Sequence, residues 1–183
     1  MRTMQPNDIE LLKSAQQSDA GTLARIYEEY SPAVFRYAFR LLGSLQIAED
    51  CVADSFLGFL TAVEMGKGPQ ENLKAYLFRS AHNWIVDFYR KKSRLDIDLD
   101  DDFIDSFVNV EFEAENRIRV IETIKALDQL TIEQKEVVLL RYSEGLDNKE
   151  IAKVIHKTQG AVKALLHRAT TSLQKELKYE TIK

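Results

Sequence analysis

Apolar residues recur along this chain at intervals of three and four, and no convincing run alternates apolar with polar residues as a strand would. From Thr22 to Leu42, the residues Leu23, Ile26, Tyr27, Tyr30, Val34, Tyr37, Ala38 and Leu41 follow helical spacing. Ser31-Pro32 is placed like an N-cap followed by a first-turn proline, so the segment reads as two successive helices or one kinked helix. Gly43-Ser44 ends it. Val52, Phe56, Phe59, Leu60 and Val63 predict a second helix over 48–64, broken by Gly66 and Gly68-Pro69. A third is expected after Asn72, with Leu73, Leu77, Ala81, Trp84, Ile85 and Phe88 on its apolar face and Arg79, Asn83, Val86 and Arg90 on another side.

Further along, Ile118, Ile121, Ile124 and Leu127 predict one helix, and Thr131 with Gln134 has capping-box spacing ahead of the apolar run Val137-Val138-Leu139-Leu140. The stretch EIAKVIHKTQGAVKALLHRA, residues 150–169, reads as two short helices joined by a polar turn. Ile151, Ala152 and Ile155 form the inward face of the first, and Val162, Leu165, Leu166, Ala169 and Leu173 that of the second. Asp147 with Glu150 has capping-box spacing, Thr158 is placed to cap the second helix, and Ala152 is small enough for close crossing. Lys163, His167 and Thr171 are left on one outward row, with Ala164 and Arg168 beside it. This pattern fits a helix-turn-helix whose second helix, starting near Gln159, presents its first turns to a DNA major groove. The plainer alternative is a helical hairpin with a solvated basic face.

The net charge of −4 opposes a nucleic-acid role until it is divided along the chain. Residues 1–94 carry 12 Lys/Arg against 11 Asp/Glu, residues 95–116 carry none against 9, and residues 117–183 carry 13 against 9. The acid is therefore concentrated in one connector, which its own repulsion is expected to keep extended. Positive charge gathers from Lys67 to Arg94, with 7 basic residues against 2 acidic ones. The expected fold is all-α: two small helical domains, 1–94 and 117–183, joined by a flexible acidic linker over 95–116.

Candidate chemistry is sparse. The single Cys51 excludes an internal disulfide, and the absence of a long apolar run or a basic-apolar leader points to a cytoplasmic protein without membrane insertion. Asp96, Asp98 and Asp100 resemble the start of a calcium loop, but Asp101 stands where that loop needs Gly and Phe107 where it needs Glu. The scattered His82, His156 and His167, without a Gly-rich phosphate loop, leave no evident nucleophile-base pair or metal cluster. No enzyme activity, metal or cofactor is expected.

In its parts and their order, the chain resembles the extracytoplasmic-function (ECF) sigma factors, two-domain members of the sigma-70 family. YSPAVFRYAFRLLGSLQIAEDCVADSFLGFL is similar to that family's first helices, LKAYLFRSAHNWIVDFYRKKSR to its promoter-melting helix, and LDQLTIEQKEVVLLRYSEGLDNKEIAKVIHKTQGAVKALLHRATTSLQKEL to its C-terminal domain. Ala161 departs from the family's usual Thr, and Ala164 from a position that is often polar. The resemblance implies a protein that binds RNA polymerase core, through the clamp of the largest subunit and the flap of the second-largest, and directs it to particular promoters. An anti-sigma factor is the further partner it implies, and the free chain is expected to be a monomer.

The resemblance also distributes roles. Thr158, Gln159, Lys163, Ala164, His167 and Arg168 would meet the minus-35 element. Arg79, Asn83, Arg90, Lys91, Lys92 and Arg94 would meet the minus-10 element, interleaved with Tyr76, Phe78, Trp84, Phe88 and Tyr89 in the mixture that single-stranded DNA binding uses for stacking and backbone neutralisation. Trp84 and Phe88 nevertheless lie on the apolar stripe and are assigned to the core. The loop from Gly66 to Asn72 would accommodate an unstacked base. Asp50, Asp54 and Phe56 are the candidate polymerase contacts, with a solvated acidic turn as the plainer account of the two carboxylates and burial as that of Phe56. Two other classes remain: a response-regulator-type helix-turn-helix transcription factor, which would need a βα receiver where helical periodicity stands, and a helical adaptor that binds no DNA.

Overall fold

A computed structural model describes residues 19–93 and 123–180, and among them every regular element is helical. Contacts divide the chain into two compact units, one built mainly on residues before position 98 and one mainly on those after it. The acidic connector, its calcium-like Asp96, Asp98 and Asp100, and the domain limits at 94/95 and 116/117 lie outside the described residues.

The first unit holds α1 (Ala20–Leu42), α2 (Leu45–Glu64) and α3 (Leu73–Lys92). Each begins at a polar cap whose side chain accepts an amide of the first turn: Asp19 from Thr22, Ser44 from Ile47, Asn72 from Ala75. The hydroxyl of Thr22 also donates to Asp19, and these bonds hold the Asp19 carboxyl below its ordinary range. Segment 20–42 is one helix, so Ser31 is not an N-cap and Pro32 lies inside it. The stripe of Ile26, Tyr30, Val34 and Tyr37 is buried on both sides of the proline, and its burial outweighs the local start signal. Pro32 and Glu28, whose carbonyl loses its helical donor, both face outward, where solvent can replace it. Gly43, at φ 75°, ends α1 with its amide on the carbonyl of Phe39, a left-handed position that only glycine adopts without cost.

Tyr30, Tyr37, Phe39, Phe56, Phe59 and Phe78 are buried among the aliphatic residues of this unit's core, and several of their rings pair. Tyr37 meets Phe78 edge to face at 5.3 Å, Tyr27 meets Phe56 at 4.9 Å, and Phe59 meets Tyr76 at 6.1 Å. The Tyr89 hydroxyl donates to the carbonyl of Leu41, tying the end of α3 to the end of α1, and burial raises its pKa. Cys51 is fully enclosed, and burial pushes its thiol up to about 12, so it stays protonated and inert at physiological pH.

Gly58 lies in the middle of α2, exposed, and a β-carbon there would meet nothing within 4 Å. Gly58→Ala should therefore raise the stability of this unit by about 0.5–1 kcal/mol, since only unfolded-state freedom is lost. Urea unfolding followed by Trp84 fluorescence reads this directly, and an unchanged or lower midpoint would show a constraint that the packing does not reveal.

The second unit contains a helical stretch over 123–128 (α4), then α5 (Ile132–Val138), a π-helical turn (Leu139–Ser143), α6 (Asn148–Val154) and α7 (Gln159–Glu180). Thr131 and Gln134 make the full reciprocal capping box at the start of α5. Leu127, Leu130, Val138 and Ala169 pack together, with Leu173 against them. The apolar run does not continue as an ordinary α-helix. The amide of Glu144 reaches the carbonyl of Leu139, five residues back, at 3.1 Å, and this wider turn accommodates two consecutive buried leucines, Leu139 and Leu140, before Arg141 and Tyr142 emerge.

Candidate nucleic-acid interface

The helix-turn-helix is built by local hydrogen bonds that the residue spacing anticipates. Asp147 accepts the amide of Glu150 at 2.8 Å while the Glu150 carboxylate accepts the amide of Asp147 at 2.7 Å. The turn closes when the amide of Lys157 donates to the carbonyl of Ala152 at 3.0 Å, with His156 in the left-handed region at φ 52°. Lys157 pairs with Glu133 at 2.9 Å, joining the turn to the first turn of α5. Thr158 then caps α7, its hydroxyl accepting the amide of Ala161 at 3.2 Å. Thr158 is thus a structural residue of the turn as well as a candidate contact.

Beyond that cap the inward and outward sides of α7 separate cleanly. Val162 and Ala169 are fully buried and Leu165 nearly so, whereas Gln159, Lys163, Ala164, His167, Arg168 and Thr171 are exposed. The outward row is therefore free of core duties. The Arg168 guanidinium leans back along the helix, its Nε donating to the carbonyl of Ala164 at 3.4 Å. The hydroxyl of Thr171 is turned onto the carbonyl of His167 at 2.8 Å.

The second candidate surface is on α3. Arg79 is exposed, with its guanidinium 5.5 Å from the ring centroid of Tyr76, a cation-π contact that holds it beside an aromatic face. Asn83 is exposed one turn on. Arg90 is exposed but bridges to Asp87 at 3.0 Å, so part of its charge is already engaged. Lys91 is exposed and Lys92 half-buried, while Arg94 lies outside the described residues. In the loop before α3, Gly68 and Pro69 are buried, and a β-carbon on Gly68 would stand 3.0 Å from the Val63 side chain. Close packing limits that part of the loop to a structural role, leaving its polar end at Gln70 and Glu71 outward.

Two assignments change. Trp84 and Phe88 are half-buried and not core: their rings stack in parallel, centroids 5.6 Å apart, and the Trp84 indole N–H donates to Oδ2 of Asp54 at 2.8 Å. The indole's polar edge needs a partner, and α2 supplies one outside the packed interior. Phe56, expected as a polymerase contact, has only 4% of its surface exposed and packs on Tyr27, so it supports its helix from within. Asp50 and Asp54 are exposed on α2, as is Leu57 at 62%, which the sequence pattern had not singled out. Leu57 falls off the Val52-Phe56-Phe59-Val63 stripe, and that offset was the signal available for it.

Among the described residues no group of His, Cys, Asp and Glu is arranged to hold a metal ion, and no helix is long and apolar enough to cross a membrane. A three-helix unit bearing an aromatic-basic helix and a second unit ending in a helix-turn-helix define a two-module, helix-turn-helix protein. Two family models match it, Sigma-70 region 2 over residues 26–95 and Sigma-70, region 4 over residues 121–173. The chain is 30% identical over 175 residues to the ECF RNA polymerase sigma factor BldN of Streptomyces coelicolor, covering 92% of this chain and 65% of that protein's length. It is 25% identical to RNA polymerase sigma factor SigV of Bacillus subtilis, over 91% of this chain and 98% of that one. In fold it is similar to the sigma factor RpoE of Bartonella quintana, solved with the anti-sigma factor NepR, at a TM-score of 0.71 and 23% identity, covering 85% of this chain and 96% of that one. A similar fold is found in CnrH, solved with the cytosolic domain of CnrY, at a TM-score of 0.69 and 21% identity, over 94% and 97% of the two chains. The chain belongs to the sigma-70 family, among the ECF sigma factors.

Proposed function

We propose that this protein binds RNA polymerase core and directs it to a set of promoters, with α7 in the major groove of the minus-35 element and α3 at the minus-10 element. It does no covalent chemistry itself; its work is recognition, in the compartment where polymerase acts, the cytoplasm. The observation that carries this reading is the outward row of α7, where Gln159, Lys163, Ala164, His167 and Arg168 are exposed at the start of a capped helix and none is required by the core. On the first unit, Arg79, Arg90, Lys91 and Lys92 supply the basic surface of α3, with Asn83 as an uncharged polar contact and Tyr76 beside Arg79 as a stacking face, and Arg94 is the further basic residue of this set. Asp50 and Asp54 on α2 are the carboxylates for the polymerase clamp, and the flap is the partner for the second unit. An anti-sigma factor is the natural inhibitor, by analogy with RpoE of Bartonella quintana, whose structure is a complex with one.

Lys163→Ala tests the groove assignment. If Lys163 contacts a base edge, the variant loses about 1–3 kcal/mol of binding to the matching minus-35 sequence, while core binding and thermal stability stay as they were. If it contacts a phosphate, affinity falls for all promoters alike and the salt dependence flattens by about one ion. Promoter binding by reconstituted holoenzyme across a salt series separates the two cases. Unaltered transcription from minus-35-dependent promoters would leave α7 as only a solvated basic face, the property of a helical adaptor.

A further inference from the structure

Asp54 belongs to the face of α2 that the reading above gives to polymerase, yet its carboxylate is already engaged within its own unit. Oδ2 accepts the indole N–H of Trp84 at 2.8 Å, across thirty residues of sequence and from one helix to another. Trp84 is in turn stacked on Phe88 with rings 5° from parallel, and Phe88 meets Tyr89 edge to face at 5.7 Å. Tyr89 closes the series by donating to the carbonyl of Leu41 at the end of α1. An aromatic ladder along α3 is thus bonded at one end to a carboxylate on α2 and at the other to the end of α1, and it includes the sequence neighbours of Asn83 and Arg90.

We propose that Asp54 is a positioning residue for the promoter-opening surface: by holding Trp84 it sets the aromatic ladder of α3, and so couples the polymerase-facing helix to the DNA-facing one. The bond lies outside the buried core, which Leu73, Leu77, Ala81 and Ile85 of α3 and Val52, Phe56, Phe59 and Val63 of α2 make up. What the bond adds is direction. A half-buried indole with its N–H unpaired would have several orientations open to it, and a hydrogen bond to a charged acceptor selects one. The inference rests on the proposed function for its consequence, but the bond and its effect on Trp84 do not depend on polymerase at all.

Two measurements separate these levels. Trp84 is the chain's single tryptophan, so 5-fluorotryptophan places one fluorine reporter at the bond. In the free chain, Asp54→Ala should shift and broaden that resonance, whereas Asp54→Asn, which keeps a carbonyl acceptor, should leave it close to its original position. Promoter opening is then followed with 2-aminopurine in the minus-10 element at saturating polymerase core. Asp54→Ala and Trp84→Phe, which keeps a ring but removes the donor, should each reduce opening per bound holoenzyme by about tenfold, the scale of one hydrogen bond to a charged group. Asp54→Asn should weaken core binding through its lost charge but open promoters better than Asp54→Ala once bound.

The double variant Asp54→Ala with Trp84→Phe should be no worse in opening than either single one, since both remove the same bond. Additive losses would overturn the proposal, as would wild-type opening by Trp84→Phe or a fluorine resonance indifferent to Asp54→Ala. If the unmodified chain opens no promoter with core, the proposed function itself fails, a result distinct from all of these. A circular-dichroism melt of each variant identifies a loss caused by unfolding, and Trp84→Phe, the mildest change, keeps the test decisive should Asp54→Ala unfold.

Discussion

Val162→Asp is expected to unfold the second unit while the first stays folded. Val162 is fully buried at the start of α7, one residue before the exposed Lys163. A carboxylate placed there has no partner, and an uncompensated buried charge costs on the order of 3–5 kcal/mol. A core of this size supplies a net stability of roughly 3–5 kcal/mol, so the cost equals or exceeds the whole. Far-UV circular dichroism should lose the helical signal of α5 to α7, while Trp84, which belongs to the first unit, keeps its native emission. A single unfolding transition with an unaltered midpoint would mean that Val162 can turn outward and that the inward face of α7 is wrongly drawn. Compared with Lys163→Ala, which should spare the fold and weaken promoter binding, this pair of adjacent positions distinguishes a side chain that holds the module from one that meets DNA.

Phe78→Ala should do the converse. Its ring is fully buried, stands edge to face with Tyr37 at 5.3 Å, and has the Lys74 ammonium 5.8 Å from its centroid. Removing it deletes the meeting point of α1 and α3, at an expected cost of about 3–5 kcal/mol. Denaturant unfolding followed by Trp84 emission should show the midpoint collapse for the first unit, with the helix-turn-helix amide signals unchanged in an NMR spectrum. A loss below about 1 kcal/mol would show that neighbouring side chains collapse into the space, which a rigid aromatic packing does not allow.

Much of this was legible in the residues because the decisive interactions are local. The capping pairs Thr131-Gln134 and Asp147-Glu150 act over three residues, as does Thr158 on Ala161, and spacing alone identifies them. The outward row of α7 was legible for the same reason, since its inward neighbours are unambiguous aliphatics. Trp84 was not, because its partner is on another helix, and an indole offers both a hydrophobic body and a donor, so burial and an interhelical bond look alike in sequence. Phe56 and Leu57 are adjacent and both apolar; the stripe's spacing puts Phe56 inward and Leu57 off it, but the degree of exposure of each, 4% and 62%, is set by the packing. Ser31-Pro32 carried a helix-start signal that was overridden by a continuous buried stripe, and the wide turn at Leu139 has no residue signature of its own.

The short connections of the first unit bear on the order in which the protein is made. Only Gly43 and Ser44 separate α1 from α2, and α2 and α3 are joined by the residues from Met65 to Asn72, so these neighbouring helices meet after little more chain has emerged. Small helical units with such local contacts fold in about microseconds to milliseconds, whereas a ribosome adds roughly 5–20 residues per second. The aromatic core around Tyr37 and Phe78 can thus close as soon as α3 clears the exit tunnel, while the helix-turn-helix is still being synthesised. The nascent chain then presents a finished surface instead of an exposed apolar one during the seconds needed to complete it, which removes the main opportunity for misassociation with its own second half.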